Sequence, residues 1–388
     1  MTNIAFLLNF PKEYKGGINY FKNLMYAISK VESHFNVFLF VPENLEQEYI
    51  DLFSPYATIV RTKVLNRKSF PWIVEKVIER LLHRNVFLLR ILKEYKINVV
   101  SHSNFFHRDK DIKVINWIPD FQSLHYPKLW SDKDLKDTLN LYHKIVKYSD
   151  KVVLSSYDAL KDFKTFAPNF VAKAHVLQFV SQPDEIEVND DTVAAILVKH
   201  GIKRNFFYLP NQFWSHKNHI TAFKAIKILK DKGLNPLLVT SGFMMDYRTN
   251  NETFNILNNY IIANELSENI LLLGLIPYQD VLTLFKSAIA ILNPSLFEGW
   301  SSSVEESKSV GQTIVLSDIP VHREQNPSKG IYFDPAKESD LAVIMENILQ
   351  SPNQARSASD VALVKQNLID RTVNFGQNYV NLVNDIRA

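Results

Sequence analysis

Short apolar runs alternate with longer segments of helical periodicity along the whole chain. The short runs are rich in Val, Ile, Leu and Phe and contain few polar residues, as do parallel strands buried on both faces. In the first half, strands are predicted at Ile4–Leu8, Val37–Val41, Ala57–Val60, Asn98–Val100, Lys113–Ile118, Val152–Leu154 and Ala174–Gln178. In the second half, they are predicted at Phe206–Leu209, Pro236–Thr240, Ile270–Leu273, Ala288–Leu292 and Thr313–Leu316.

The segments between these runs repeat apolar residues at helical spacing. Helices are predicted at Ile18–Lys30, Trp72–Lys96, Lys133–Tyr148, Asp158–Phe166, Ile220–Lys232, Glu252–Glu265, Asp280–Ser287, Ser303–Val310, Asp340–Gln350 and in a long terminal stretch. Strands that alternate with helices predict an α/β fold, most simply two Rossmann-like, doubly wound domains facing across a cleft.

A polar, acidic and turn-prone stretch places the boundary between the two domains near Gln182–Arg204. We therefore predict a first domain over residues 1–185 and a second over 186–365. The remaining residues, 366–388, are predicted to form a helix that packs back on the first domain.

Composition narrows the class of protein. A chain of 388 residues with 46% apolar and 22% charged residues fits two ordinary globular domains. The net charge of +3 gives no reason to expect a nucleic-acid partner. Cysteine is absent, which excludes disulfides and thiol nucleophiles and fits a reducing compartment. With no leader and no apolar run long enough to span a bilayer, we expect a cytoplasmic protein, either soluble or peripheral at the inner face of the membrane.

One basic segment leaves two interpretations open. Between Arg61 and Lys96, Lys and Arg are interleaved with large apolar residues. Such a segment can lie on an anionic membrane surface. It can equally be a domain helix with its apolar side in the core and its basic side in solvent.

The densest chemical motif lies between Asn293 and Ser307, after a predicted strand. It leads into a short helix, for which Ser302 and Glu305 have capping-box spacing and Gly311 is placed to end the helix. The amides of 301–304 are then predicted to be free at the helix N-terminus, which suits a phosphate.

Two carboxylates flank this anion site. Glu298 lies in the loop before the helix, and Glu306 lies about one turn inside it. Because each would repel a bound phosphate, they fit better as acceptors of hydrogen bonds from sugar hydroxyls.

These residues resemble the retaining glycosyltransferases of family 4, which have the GT-B fold. The resemblance lies in Pro294-Ser295, Glu298, Glu306 and Ser317-Asp318. It implies that Glu298 contacts hydroxyls of the donor sugar and that Glu306 contacts the nucleotide ribose. Where the family commonly has Gly-Phe-Gly-Leu-Pro, this chain has Gly299, Trp300, Ser301, Ser302 and Ser303, which the resemblance places at the donor.

A second motif follows the strand Phe206–Leu209. Lys217, in a loop before a helix, is suited to neutralise a leaving diphosphate. The family typically has an Arg six residues earlier, where this chain has Asn211. His216 is therefore a candidate to supply the hydrogen-bond donor that the Arg would provide.

Weaker signals complete the candidate site. Gly16 and Gly17, in the loop before the first helix, and Gly242 and Ile276, after later strands, are predicted to lie at the donor. Asp120 and His125, after the strand Lys113–Ile118, are predicted to bind or orient an acceptor hydroxyl on the first domain.

The resemblance implies a retaining transfer of a hexose-type sugar from a UDP- or GDP-sugar to a saccharide or lipid-linked acceptor. Bacterial surface polysaccharide assembly (O-antigen or capsule) is the expected setting. No clustered Asp-x-Asp is found in a predicted loop of the cleft, so no metal and no cofactor are expected beyond the nucleotide-sugar co-substrate. A catalytically inactive sugar-nucleotide-binding protein, suggested by Asn211, and a sugar-nucleotide epimerase remain alternatives.

Overall fold

A computed structural model describes residues 1–8, 15–82, 85–106, 109–182, 189–246, 252–351 and 358–387. The chain divides into two units. The first contains Met1–Phe121, Asp132–Val180 and Ile369–Ala388, and the second contains Gln122–Ser131 and Ser181–Leu368.

The first unit is built on a seven-stranded parallel sheet. Its strands are β1 (Thr2–Leu7), β2 (Phe35–Pro42), β3 (Thr58–Thr62), β4 (Val99–Ser101), β5 (Lys113–Ile118), β6 (Lys151–Leu154) and β7 (Ala174–Val176), in the order β3-β2-β1-β4-β5-β6-β7. Its first four helices are α1 (Lys15–Ser29), α2 (Gln47–Phe53), α3 (Phe70–Leu82) and α4 (Val86–Glu94). The next helix along the chain, α5 (Gln122–His125), is grouped with the second unit. Two more, α6 (Asp132–Tyr148) and α7 (Tyr157–Phe166), follow.

The second unit has a six-stranded parallel sheet. Its strands are β8 (Phe207–Leu209), β9 (Leu238–Thr240), β10 (Ile270–Leu272), β11 (Ala290–Asn293), β12 (Ile314–Ser317) and β13 (Gly330–Phe333), in the order β10-β9-β8-β11-β12-β13. The helices are α8 (Asp190–Lys199), α9 (His219–Asp231), α10 (Glu252–Ala263), α11 (Tyr278–Ser287), α12 (Ser302–Val310), α13 (Pro320–Gln325) and α14 (Glu338–Gln350). Helix α15 (Ala358–Asp385) follows, and its residues from Ile369 onward are grouped with the first unit.

Burial explains why the strands are nearly continuous apolar runs. Along β8, Phe207 and Leu209 pack into one apolar cluster of the second unit, whereas Phe206 and Tyr208 pack into another. Successive side chains of a strand point to opposite faces, so both faces of this sheet are covered.

The strand order also fixes where a ligand can bind. In each sheet the order reverses beside the first strand, since β1 lies next to β4 and β8 lies next to β11. Ligands of doubly wound sheets bind outside the carboxyl ends of the strands at such a switch point. In the second unit, the predicted motifs follow β8 and β11.

The two parallel sheets confirm the predicted α/β architecture, but some boundaries differ. The predicted boundary at 185/186 lies outside the described residues. Residues 122–131, predicted in the first domain, are grouped with the second unit, and the last helix begins at Ala358 rather than 366.

The helix predicted over Trp72–Lys96 is two helices, because Asn85 is non-helical at the start of α4 (φ −96°, ψ 83°). Among the described residues, no helix is both long and apolar enough to cross a membrane.

Candidate functional site

Helix α12 begins and ends close to the predicted positions. Gly311 follows its last residue with φ +67°, a left-handed conformation that glycine adopts without strain, so the predicted stop is confirmed. The predicted capping box is wrong, because Ser301 occupies the N-cap position and Ser302 is already helical. The Ser301 hydroxyl does not cap the helix; it contacts Ser303 at 3.1 Å.

Of the four amides predicted to form the anion site, the first is already hydrogen-bonded within the chain. The Ser301 amide donates to Oε1 of Gln325 at 3.1 Å, and Nε2 of Gln325 donates to the Ser301 carbonyl at 2.9 Å. This two-point contact removes Ser301 from the set of free amides and fixes the loop before α12. Within the described part of the chain, the amides of Ser302, Ser303 and Val304 have no acceptor, as expected for a first helical turn.

Asn293, the last residue of β11, hydrogen-bonds to the loop before α12. It was not among the predicted site residues. Its Nδ2 donates to the hydroxyls of Ser301 at 2.8 Å and Ser303 at 3.0 Å, and its Oδ1 accepts from the Ser295 hydroxyl at 2.7 Å. The side chain is fully buried. A polar residue at the carboxyl end of a buried strand was the signal that could have identified it.

Lys217 and Glu298 form the central charged pair of the site. Nζ of Lys217 donates to both carboxylate oxygens of Glu298, at 2.7 and 2.8 Å. The two side chains are only 15% and 7% exposed, so the pair is largely shielded from water. Such a pair is costly to break from one side, because an unpaired charge would remain buried.

Asn218 places Lys217 against the loop that carries Glu298. It adopts a left-handed conformation (φ 55°) between a 3-10 turn, Ser215–Lys217, and α9. Its Nδ2 donates to the carbonyls of Pro294 at 3.0 Å and Pro335 at 3.2 Å. The predicted donor residue His216 is buried, and its carbonyl accepts from the Leu296 amide at 2.8 Å.

Glu306 lies inside α12 with its carboxyl buried. Burial raises the pKa of Glu306 to about 7, and a hydrogen bond from the Tyr278 hydroxyl, at 3.4 Å, opposes that rise. The carboxyl can therefore carry or lose its proton near neutral pH, and a hydroxyl donor brought to it would favour the ionised form.

His322, on α13, is a further buried group that the sequence did not indicate. Its Nδ1 lies 2.9 Å from the Ser317 carbonyl, which can only accept, so Nδ1 carries the proton. Its Nε2 has no hydrogen-bond partner among the described residues. Burial lowers the pKa of His322, while the nearby charge of Glu298 raises it and that of Lys217 lowers it.

Asn211 and Gly242 meet at the carboxyl edge of the second sheet. Nδ2 of Asn211 lies 3.4 Å from Oδ1 of Asn293, so this residue joins the same network. Gly242 has φ +146°, and a Cβ there would lie 2.4 Å from the Asn211 carbonyl oxygen. Glycine is therefore required at this position.

The other residues of the second unit that were predicted to bind the sugar donor are partly accessible to solvent. Gly299, Trp300 and Ile276 are half-buried, and Ser302 is exposed at the start of α12. No cluster of three or more His, Asp or Glu that could hold a metal occurs among the described residues.

The residues predicted on the first domain are placed differently. Gly16 and Gly17 lie within the first turn of α1, not in a loop before it. Asp120 is grouped with the first unit, and its carbonyl accepts from the Tyr142 hydroxyl at 3.0 Å. His125 is grouped with the second unit, where its ring lies 5.1 Å from that of Phe297, next to Glu298.

Comparison with known families agrees with this geometry. The family model of glycosyl transferases group 1 matches residues 195–362, which include β8, β11, α12 and both glutamates. Residues 195–362 are a glycosyl transferases group 1 domain. The predicted resemblance to glycosyltransferases is thereby confirmed for group 1, and family 4 within it stays a prediction.

A curated relative is similar over part of the chain. Over 151 residues, the chain is 26% identical to the O-antigen chain mannosyltransferase RfbU of Salmonella typhimurium. That match covers 39% of this chain and only 40% of RfbU.

Solved structures resemble the whole chain, not only the glycosyl transferases group 1 domain. HepE of Anabaena, in complex with UDP and glucose, has a TM-score of 0.69 at 13% identity, covering 99% of this chain and all of HepE. WaaG, a glycosyltransferase involved in lipopolysaccharide biosynthesis, has a TM-score of 0.59 at 13% identity, covering 96% of this chain and 95% of WaaG. Likeness at this identity shows a shared fold, and it confirms the predicted GT-B fold.

Proposed function

We propose that this chain is a retaining glycosyltransferase that moves a hexose from a UDP- or GDP-sugar to a saccharide or lipid-linked acceptor. The proposal rests above all on the shielded Lys217–Glu298 pair beside the start of α12 in a glycosyl transferases group 1 domain. We further propose that the acceptor belongs to a surface polysaccharide, since RfbU and WaaG are named for O-antigen and lipopolysaccharide.

The donor diphosphate is assigned to the free amides of α12 and to Lys217. Three amides, those of Ser302, Ser303 and Val304, lie at the positive end of a nine-residue helix. Lys217 supplies the full positive charge that a leaving diphosphate requires, and it does so in a shielded place where charge stabilisation is strong.

The two glutamates are assigned to hydroxyl groups. Glu298 shares Lys217 with the diphosphate, so one carboxylate oxygen can turn to a hydroxyl of the donor sugar. Glu306 accepts from the ribose, and its poised protonation makes that contact sensitive to pH.

In the transfer step, the bond from the anomeric carbon to the diphosphate oxygen breaks, and its electron pair leaves with the nucleotide. The acceptor oxygen forms the new bond on the face that the diphosphate leaves, and its proton departs with that phosphate. Side chains and helix amides stabilise the charge, so no divalent metal is required in this proposal.

The proposal is tested by incubating the chain with UDP-, GDP-, ADP- and dTDP-sugars and measuring nucleotide release. We expect slow hydrolysis of one donor, lost in Glu298→Ala and retained with a chelator present. Glu346→Ala is the matched control, because that carboxylate pairs with Lys232 away from the site.

The other outcomes separate the alternatives. Thermal stabilisation by a nucleotide sugar without turnover, even with saccharide acceptors, would indicate an inactive binding protein. Conversion of the donor into its epimer would indicate an epimerase. Neither release nor stabilisation with any donor would refute nucleotide-sugar binding altogether.

A further inference from the structure

Helix α3 reverses the usual arrangement of an amphipathic helix. Its apolar residues Phe70, Ile73 and Val77 share one side, and they are 78%, 46% and 50% exposed. Its acid Glu75, by contrast, is only 4% exposed. In a soluble domain the apolar stripe normally faces the core. The stripe of α3 therefore has no role in the core of the first unit.

Glu75 faces inward because it caps the next helix. Its two carboxylate oxygens accept from the amides of Phe87, at 3.1 Å, and Leu88, at 3.2 Å, in the first turn of α4. These contacts fix the rotation of α3, so its apolar side is held outward. The interpretation with the apolar side in the core therefore fails for these three residues of α3. It holds for α4, which buries Leu88 and Leu92 in the core of the first unit.

The first turn of α4 also exposes apolar residues. Val86 and Phe87, in the first turn of that helix, are 44% and 40% exposed. With Phe70, Ile73 and Val77 they form what we name the α3–α4 face. Several large apolar side chains exposed within one short stretch of chain are typical of an interaction site.

The segment that carries this face is strongly basic in sequence. Residues 61–96 contain ten Lys or Arg and three Glu, a net charge of +7 in a chain whose total is +3, so the rest of the chain carries −4. Arg67 and Lys68 are exposed directly before Phe70, and Lys76 is exposed beside Val77. A partner of the α3–α4 face must therefore offer both apolar groups and negative charge.

We propose that the α3–α4 face docks on an anionic lipid membrane. Acyl chains receive the apolar residues while lipid phosphates meet the surrounding cations. A second copy of this chain is a poorer partner, because a symmetric contact would bring two segments of net charge +7 together. The proposal does not rest on the proposed function, although it would bring a lipid-linked acceptor to the enzyme.

The test is flotation of the full chain with phosphatidylcholine vesicles, with and without phosphatidylglycerol. We expect binding only to the anionic vesicles, weakened by salt. Phe70→Ser/Ile73→Ser/Val77→Ser should reduce binding by roughly tenfold or more, as should Arg67→Glu/Lys68→Glu. The matched control is Ile256→Ser/Ile262→Ser on α10, where the two residues are 54% and 64% exposed; it should bind like the unchanged chain.

Three outcomes would overturn the proposal. These are no binding of the unchanged chain to anionic vesicles, equal loss of binding in the control, and a dimer that the α3 substitutions convert to monomer. Hydrolysis of the donor without vesicles is measured in parallel on every variant. We expect it to persist, so failure of docking and failure of the proposed function are distinguished.

Discussion

Replacing Glu306 with Gln should stabilise the second unit by an amount that grows with pH. Burial raises the pKa of this carboxyl to about 7, from 4.5 in an exposed glutamate. At pH below 4.5 the folded and unfolded chains both hold the proton, so the raised pKa costs nothing. As pH rises from there to about 7, the unfolded chain ionises first, and the free energy of unfolding falls.

The magnitude follows from the two pKa values. Each pH unit between them lowers the free energy of unfolding by about 1.4 kcal/mol, so the full cost above pH ~7 is about 3 kcal/mol. Gln cannot ionise and avoids this cost. For a unit of this size, the variant should melt roughly 6–12 °C higher, relative to the unchanged chain, at pH ~8 than at pH ~4.5.

The assay is thermal unfolding of both chains across this pH range. Following the difference against pH removes effects of the substitution that do not depend on protonation, such as a changed contact with Tyr278. Glu346→Gln, at a half-buried carboxylate paired with Lys232 away from Glu306, is the control for a Glu-to-Gln replacement elsewhere in the second unit. A difference in melting temperature between Glu306→Gln and the unchanged chain that stays constant from pH ~4.5 to ~8 would refute the reasoning.

Two further substitutions test the remainder of the site. Lys217→Gln leaves Glu298 buried without its cation. We expect the free energy of unfolding to fall by about 3–5 kcal/mol and donor turnover to fall by about 10²–10³-fold. Undiminished nucleotide release would show that Lys217 does not stabilise the leaving group. Gly242→Ala would place a Cβ 2.4 Å from the Asn211 carbonyl, and urea unfolding should show a loss of more than about 2 kcal/mol. Gly201→Ala is its control, since φ there is +67° with nothing within 4 Å of the added Cβ; equal losses in the two variants would mean that backbone strain, not the close approach, requires glycine at 242.

The sequence by itself determined the α/β class, the two units and the positions of most strands. Near-continuous apolar runs as short as Ala288–Leu292 favour strands buried on both faces, and their alternation with helices leaves few topologies. The sequence also indicated Lys217, Glu298 and Glu306 as candidate site residues, because each follows a strand of the second sheet at its carboxyl end. Local features that depend on one residue, such as Gly311 ending α12, were equally predictable.

The tertiary structure decided which groups pair and which are free. The Ser301 amide, predicted to be free, donates to Gln325, which is 24 residues away. No local sequence pattern indicates that contact. The same holds for the pairing of Lys217 with Glu298, 81 residues apart. Periodicity showed that α3 is amphipathic but not that its apolar side faces outward. That orientation depends on Glu75 capping α4, a contact between two helices that only packing in three dimensions can select.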